Sequence, residues 1–336
     1  MKFLITGASG WIGFSLINHL YKLYGKENIQ LILSPKSRNK KESKRRKILI
    51  EKKFNIVIND LLEDDLDIKT IKPFDVLFHL AAFTEVEIKS PSVHVNDIGT
   101  ERLLNNLRQL LPNKRVIYTG SILSIDRSYP DNTPMTENYP CRPRTIYGLT
   151  KLKGELIVKQ FAKDIGFEWC ILRLPTVYGP GRTGGFFGVI PEKLLNGSLA
   201  TRLLWPGRIS LVYIDDVIKA LTFLGTKKYK CNETYHINSG ENPSTDELIE
   251  EIAKSIGVKR KRISVPKFFW ILVRYLVWFP GLLSILPFKL KITVLRISLL
   301  VIDGLVFDDS KFRAILPLKY TKIDKGLPAM YKEKIQ

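Results

Sequence analysis

TGASGWIG, residues 6–13, is the stretch that decides the fold. It directly follows KFLIT (2–6), an apolar strand candidate, and it opens Trp11–Tyr24, which carries helical spacing. The glycines Gly7, Gly10 and Gly13 stand three residues apart. Between a strand and a helix each has a physical reason. Gly7 allows the tight turn, Gly10 lets the backbone approach a pyrophosphate, and Gly13 lets the helix pack closely on the sheet. The helix start, with Trp11, Ile12 and Gly13, then faces the anion, because unsatisfied amides and the helix dipole favour negative charge there. A glycine pattern alone is weak evidence. Its place between a strand and a helix turns it into a dinucleotide site.

Outward from this loop, short apolar runs alternate with helix-like segments. Strands are expected at Lys2–Thr6, Gln30–Leu33, Phe54–Ile58, Asp75–Leu80, Arg115–Thr119 and Trp169–Arg173, and helices at Trp11–Tyr24, Ser92–Leu110 and Thr145–Ile165. Most of the strands are rich in Val, Ile, Leu or Phe with little alternation, as in strands buried on both faces of a parallel sheet. The βαβα order predicts an α/β fold, a Rossmann-type doubly wound parallel sheet with helices on both faces. The expected organisation is a dinucleotide-binding domain at 1–175 and a smaller, partly interleaved substrate lobe at 176–336. LVYIDDVIKAL (211–221) reads as a short strand leading into a helix, so 211–240 is expected to return to the first domain. STDELIEEIAKSIG (244–257) reads as a helix with Ser244 or Thr245 as its N-cap. The apolar segment 267–306 is interrupted by Arg274 and by Pro280–Gly281, and predicts two or three amphipathic helices. These would lie on a membrane surface or cap a hydrophobic cleft.

The chain has 336 residues, 45% of them apolar, enough for a sizeable core. Its three cysteines, Cys141, Cys170 and Cys231, show neither a disulfide framework nor metal-ligand spacing, so no metal is expected. The N-terminal apolar run is too short for a signal-peptide core, which predicts a cytoplasmic protein, with a peripheral position at the inner face of the membrane as an option. The net charge of +20 implies an anionic partner. Part of it lies in PKSRNKKESKRRKILIEKK (35–53), read as a solvated, mobile loop. Nucleic-acid binding is disfavoured because the cations of 36–47 have no aromatic residues among them for stacking.

Further cofactor contacts are expected at the strand ends. Where an acid would bind the adenosine ribose of NAD, the second strand has Ser34, with Lys36 and Arg38 just beyond. A hydroxyl with cations suits a 2′-phosphate and leans toward NADP. Asp60 and Leu61 follow the third strand, near the adenine edge. Leu80, Ala81 and Ala82 end the fourth and leave room for a flat cofactor, while His79 reads as a packed strand-end residue. Asn96 lies near a helix start, and Ser121 stands at the C-terminal edge of the fifth strand, where open α/β sheets bind ligands.

TIYGLTKLKGE (145–155) places Tyr147, Lys151 and Glu155 on one helix face, four residues apart. That spacing fits a catalytic pair and an ordinary helix equally well. The wider set resolves it. The glycine motif, HLAA (79–82), Asn96–Gly99–Thr100, Ser121, YGLTK (147–151), LRLPTVYGPG (172–181) and YIDDV (213–217) together resemble the extended short-chain dehydrogenase/reductases, in particular the NAD(P)-dependent epimerase/dehydratase group, over roughly residues 1–250. The resemblance implies catalysis by Tyr147, Lys151 and Ser121, with Pro175 among the cofactor contacts and Thr176 and Arg208 facing substrate. It also implies a homodimer formed through helices around 92–110 and 145–165. The chemistry suits these residues. Hydride transfer at a carbinol carbon needs a proton to move at oxygen, a tyrosine near pKa ~10 is a poor base at neutral pH, and a neighbouring ammonium would lower it by roughly 1–3 units. Glu155 reads as a helix-surface charge.

Departures from the group narrow the substrate. Ile122 and Leu123 stand where dehydratases of the group carry acids, which argues against dehydration. Thr176 replaces the usual asparagine, and Arg208 stands one residue out of register for a diphosphate-binding arginine. The leading expectation is an epimerase or oxidoreductase acting on a nucleotide sugar. Its rivals are an NADP-dependent reductase of a hydrophobic alcohol, resembling 3β-hydroxysteroid dehydrogenase or dihydroflavonol reductase, and a non-catalytic Rossmann protein that binds nucleic acid through 35–53.

Overall fold

The computed structural model describes all residues except 64, 85–90, 126–132, 144, 183, 228, 230, 267, 273–305 and 336. In chain order the first half runs β1 (Phe3–Thr6), α1 (Trp11–Tyr24), β2 (Ile29–Leu33), α2 (Lys40–Glu51), β3 (Asn55–Ile58), β4 (Val76–His79), α3 (Ile98–Asn106), β5 (Arg115–Ser121), α4 (Ile146–Ile165) and β6 (Glu168–Leu174). It continues with β7 (Thr176–Tyr178), α5 (Phe186–Leu195), β8 (Leu211–Tyr213), α6 (Ile214–Thr226), β9 (Glu233–His236) and α7 (Thr245–Ser255). Two helices close the chain, α8 (Ser310–Ile315) and α9 (Ile323–Ile335).

Seven strands form one sheet in the order β3-β2-β1-β4-β5-β6-β9, and every pair is parallel. All four residues of β1 and of β4 are buried, including the polar Thr6 and His79 that end them, as expected for strands covered on both faces. The order reverses between β1 and β4. The chain leaves β1 toward β2 on one side and returns to β4 on the other, so the carboxyl ends of these two strands open a crevice. One core, with Phe3, Ile5, Leu16 and Leu221, lies under α1 and α6. The other, with Leu4, Leu77, Leu104 and Val158, lies under α3 and α4. β7 and β8 pair in a separate two-stranded sheet, so the chain after Pro175 leaves the main sheet and rejoins it at β9.

Two expectations are corrected. The basic run is not a loop, because residues 40–51 form α2. Asn39 caps it by accepting from the Glu42 amide, Lys and Arg are good helix formers, and Glu42 and Leu49 turn inward. The helix expected at Ser92–Leu110 is broken. Residues 91–96 form a 3₁₀ turn and α3 begins only at Ile98, because the Asn96 side chain turns away to bond Phe83. The amphipathic helices expected within 267–306 lie almost wholly outside the described residues. Of that segment, residues 268–272 are helical, and Trp270 packs on Trp205 with ring centroids 4.9 Å apart. No helix among the described residues is long and apolar enough to cross a membrane.

Candidate active site

The loop between β1 and α1 has the shape its glycines demand. Gly7 has φ +69°, and a Cβ there would lie 2.5 Å from the Ala81 nitrogen on β4's outgoing chain. A Cβ on Gly13 would lie 2.2 Å from the Gly7 carbonyl oxygen. The Gly10 amide donates to the Gly7 carbonyl at 3.0 Å, and the first helical bond runs from Phe14 to the Gly10 carbonyl. No side chain caps α1, so the amides of Trp11, Ile12 and Gly13 point out of the helix start into the crevice. Leu80, Ala81 and Ala82 form the opposite wall. This backbone cradle, closed to any side chain, fits a dinucleotide pyrophosphate.

The loop is braced by α2, a support the sequence reading missed. Buried Glu42 accepts from the Ser9 hydroxyl at 2.9 Å, and the Arg45 Nε donates to the Ser9 carbonyl at 2.7 Å. Arg38 pairs with Glu42 at 3.3 Å and donates to the Ala82 carbonyl at 2.8 Å, which joins α2 to the β4 end. Ser34 and Lys36 are exposed after β2, and Arg46 donates to the Ser34 and Pro35 carbonyls. Pro35, Ser37, Asn39, Lys40, Ser43 and Arg46 line an open groove there of about 680 Å³. Asp60 accepts from the Leu62 amide at 3.0 Å, and Leu61 is buried against Gly99.

His79 is fully buried and bonded on both ring nitrogens, to Thr6 at 2.6 Å and Thr100 at 2.9 Å. Burial first, and the nearby Lys151 second, push it down to about 3, so it is a neutral strand-end residue, as its sequence context implied. Asn96 spends its side chain inside the protein. It accepts from the Phe83 amide and donates to the Phe83 carbonyl and the Thr150 hydroxyl, clamping the chain after β4 to α4.

Ser121 ends β5 almost completely buried, and Thr145 caps α4 by accepting from the Gly148 amide. These two elements bring the Ser121 hydroxyl beside the Tyr147 phenol, whose ionised form it favours. Lys151 lies one turn along α4 and is only 1% exposed. Its ammonium sits 4.0 Å from the centroid of the Tyr118 ring and has no hydrogen-bond partner among the described residues. Burial pushes it from its ordinary 10.5 down to about 7, against the pull of Glu155. Burial also raises Tyr147, partly offset by the Ser121 hydroxyl and by the charge of Arg182. The expected lowering of Tyr147 by Lys151 is therefore not what this arrangement gives. Both groups are held toward their neutral forms, and Arg182 is the cation acting on Tyr147.

Glu155 is also corrected. It is not a surface charge but is fully buried, in a two-pronged pair with Arg173 of β6 at 2.8–3.1 Å. Gly120 makes room for it, since a Cβ there would lie 2.5 Å from the Glu155 carboxylate.

Toward the second lobe, buried Pro175 links β6 to β7, and half-buried Thr176 begins β7 opposite Leu211 of β8. Arg208, three residues before β8, donates to the Asn242 carbonyl at 2.8 Å beside the N-cap of α7. Asp216 of the YIDDV stretch is buried and accepts from the Thr321 amide at 2.7 Å, a structural tie to the C-terminal segment.

The comparisons agree with this geometry. The model of the NAD dependent epimerase/dehydratase family matches residues 3–239. A Bacillus subtilis protein described as an uncharacterized UDP-glucose epimerase is 30% identical over 271 residues, covering 77% of this chain and 83% of its own. The UDP-glucose 4-epimerase of Mycolicibacterium smegmatis is 28% identical over 270 residues, covering 76% and 83%. Among solved structures, the UDP-glucuronic acid 4-epimerase of Bacillus cereus in complex with UDP-glucuronic acid and NAD superposes with a TM-score of 0.75. It is 22% identical and each chain is covered in full, a likeness of fold. With a strand–glycine–helix cradle, a Ser–Tyr–Lys cluster and a family match spanning both, the chain belongs to the NAD-dependent epimerase/dehydratase family of extended short-chain dehydrogenase/reductases.

Proposed function

We propose that this chain is an epimerase of a nucleotide sugar, inverting a hydroxyl-bearing carbon by reversible oxidation. The observation that carries the reading is the convergence of Ser121, Tyr147 and buried Lys151, whose ammonium has no hydrogen-bond partner among the described residues, at the edge of the sheet that also carries the glycine cradle. A bound nicotinamide dinucleotide supplies the hydride acceptor. Ser121 orients the reacting oxygen, and Tyr147 takes its proton as the carbonyl forms and returns it when the carbonyl is reduced on the other face. Lys151, whose ammonium has no hydrogen-bond partner among the described residues, would be satisfied by dinucleotide ribose hydroxyls and then held charged beside Tyr147. Ile122 and Leu123, with Ile122 buried, supply no acid for dehydration. The names of the relatives favour a UDP-sugar, with Thr176 and Arg208 on the substrate side. Residues 1–175 hold the cofactor, and 176–336 close over the substrate.

The groove lined by Lys40 and Arg46, with exposed Ser34, Lys36 and Arg38 in the flanking stretch, favours acceptance of the 2′-phosphate of NADP as well as NAD. Ile98 of α3 with Leu149 and Leu156 of α4, all exposed, favour a second copy packing on this face as a homodimer. Exposed Phe268, Phe269, Ile271 and Leu272 favour peripheral contact of a cytoplasmic protein with a membrane surface. Vesicle co-sedimentation lost on Phe268→Ser/Leu272→Ser supports that contact, and unchanged sedimentation removes it.

The test of function begins with the purified protein. Released small molecules are identified by mass spectrometry, the stripped protein is titrated with NADH and NADPH, and UDP-sugars are followed by NMR. An inverted sugar with no net dinucleotide consumption is expected. Stoichiometric dinucleotide consumption with a hydrophobic ketone, and none of the inverted sugar, would replace this reading with the reductase.

A further inference from the structure

From the setting of Glu42 we infer a specificity-determining residue: its carboxylate sets how far the cradle prefers a dinucleotide with a bare adenosine ribose over one carrying a 2′-phosphate. The inference rests on the glycine cradle holding a nicotinamide dinucleotide. At the end of β2, where an acid would bind the adenosine ribose, the chain has Ser34. Glu42 lies in the first turn of α2 and is the only acid in residues 35–47, with Lys and Arg on both sides of it. It is nonetheless turned inward and only 6% exposed. Its Oε1 accepts from the Ser9 hydroxyl of the cradle loop at 2.9 Å. The residues three and four further along α2 fix the place. Arg45 donates to the Ser9 carbonyl and Arg46 to the Ser34 carbonyl, each at 2.7 Å. One face of α2 thus spans the cradle loop and the exit of β2, and Glu42 lies on that face.

The same carboxylate holds the nearest cation. Its Oε2 accepts from the Arg38 amide at 3.1 Å and from the Arg38 Nε at 3.3 Å. The Arg38 Nη1 is engaged by the Ala82 carbonyl at 2.8 Å, and the guanidinium stands 6.0 Å from the Phe83 ring centroid. Arg38 is thereby paired, and drawn toward the β4 side of the crevice. Burial raises the Glu42 carboxyl, but Arg38 and the Ser9 hydroxyl bring it below its ordinary value, so it is ionised at neutral pH. A phosphate monoester carries close to two negative charges there. A fixed carboxylate beside it costs affinity, and bare ribose hydroxyls incur no such cost. Lys40 and Arg46 of the groove admit the 2′-phosphate. Glu42 limits the preference for it, by repulsion and by withholding Arg38. A glutamine in its place could accept from Ser9 and Arg38 alike, so the charge is the feature that a mere brace does not need.

The experiment is calorimetric titration of the stripped protein with NADH and NADPH at one salt concentration, which reads the ratio of the two dissociation constants without turnover. Glu42→Gln keeps the size and the acceptor, and is expected to move the ratio toward NADPH by at least about tenfold, while Glu42→Asp keeps the charge and should hold it within about threefold. Arg38→Met leaves Glu42 without its counter-charge and should move the ratio the other way. An unmoved ratio in Glu42→Gln, or equal weakening of both dinucleotides, makes Glu42 a brace only and overturns the inference. So does a shift in Glu42→Asp as large as that in Glu42→Gln. If Glu42→Gln does not fold, Arg38→Met decides, and a ratio that stays put or moves toward NADPH overturns the inference. A parent protein that binds neither dinucleotide removes the functional reading and this inference with it. A parent that binds them, with the ratio fixed in the variants, removes this inference alone.

Discussion

Helix α4 carries two buried charged neighbourhoods that are treated in opposite ways. Its first two turns hold Tyr147 and Lys151, and the ammonium there has no hydrogen-bond partner among the described residues. Its third turn holds Glu155, whose carboxylate takes three hydrogen bonds from Arg173. Both are equally far from water. A buried charge left alone is costly, so a protein keeps one only where something else will complete it. The third turn is finished on folding and serves the fold. The first two, on the proposed function, are finished by a ligand and serve the reaction.

That contrast can be broken in four ways, from the largest expected effect down. Tyr147→Phe removes the hydroxyl from the unfinished end and should lower turnover by about 10²–10⁴-fold or more while dinucleotide titrations stay nearly unchanged. Near wild-type turnover would take Tyr147 out of the mechanism. Arg173→Met attacks the finished end and leaves Glu155 buried and alone. Denaturant melts should show a loss of about 3–5 kcal/mol, and a change below about 1 kcal/mol would mean the pair behaves like a surface one.

Lys151→Met should have the reverse sign on stability. In the dinucleotide-free protein the folded value is lowered to about 7 from 10.5. Between those two values the unfolded chain holds the proton and the folded chain does not. Stability therefore rises with pH through this window, and the penalty is fully present below it. Thermal melts without dinucleotide should show Lys151→Met more stable than the parent at pH 7, with that rise flattened and dinucleotide affinity reduced. Loss of stability at pH 7 would show that the ammonium is already satisfied. The smallest effect belongs to Thr145→Ala, which removes the cap from the helix that carries both ends and should cost about 1 kcal/mol. A cost near zero would show that packing alone holds the start of α4.

The sheet and the cofactor cradle were legible because their signals are local. Apolar runs without alternation identify the strands, and the spacing of Gly7, Gly10 and Gly13 survives without tertiary knowledge. The positions of Tyr147, Lys151 and Ser121 followed from motif order and spacing. What escaped depends on partners distant in the chain. Glu155 looks like any solvated helix glutamate until β6 brings Arg173 across it. Glu42 lies in a run so cationic that its inward turn toward Ser9, 33 residues away, leaves no local trace. Arg182 was visible only as part of a glycine-rich stretch. Its single signal was a cation close behind YGPG, and its setting over Trp11 joins residues separated by just over half the chain.

The Asp216–Thr321 tie and the seating of α9 bear on the order in which the molecule can be assembled on the ribosome. Six of the seven sheet strands are laid down by Leu174, so the dinucleotide cradle can close early in synthesis. The β7–β8 sheet waits much longer. Tyr178 donates to the Thr321 carbonyl, Tyr331 donates to the Phe187 carbonyl, and Leu327 and Met330 complete the core around them. The main sheet can thus form early, while the β7–β8 lobe must wait for the last turns of the chain to emerge.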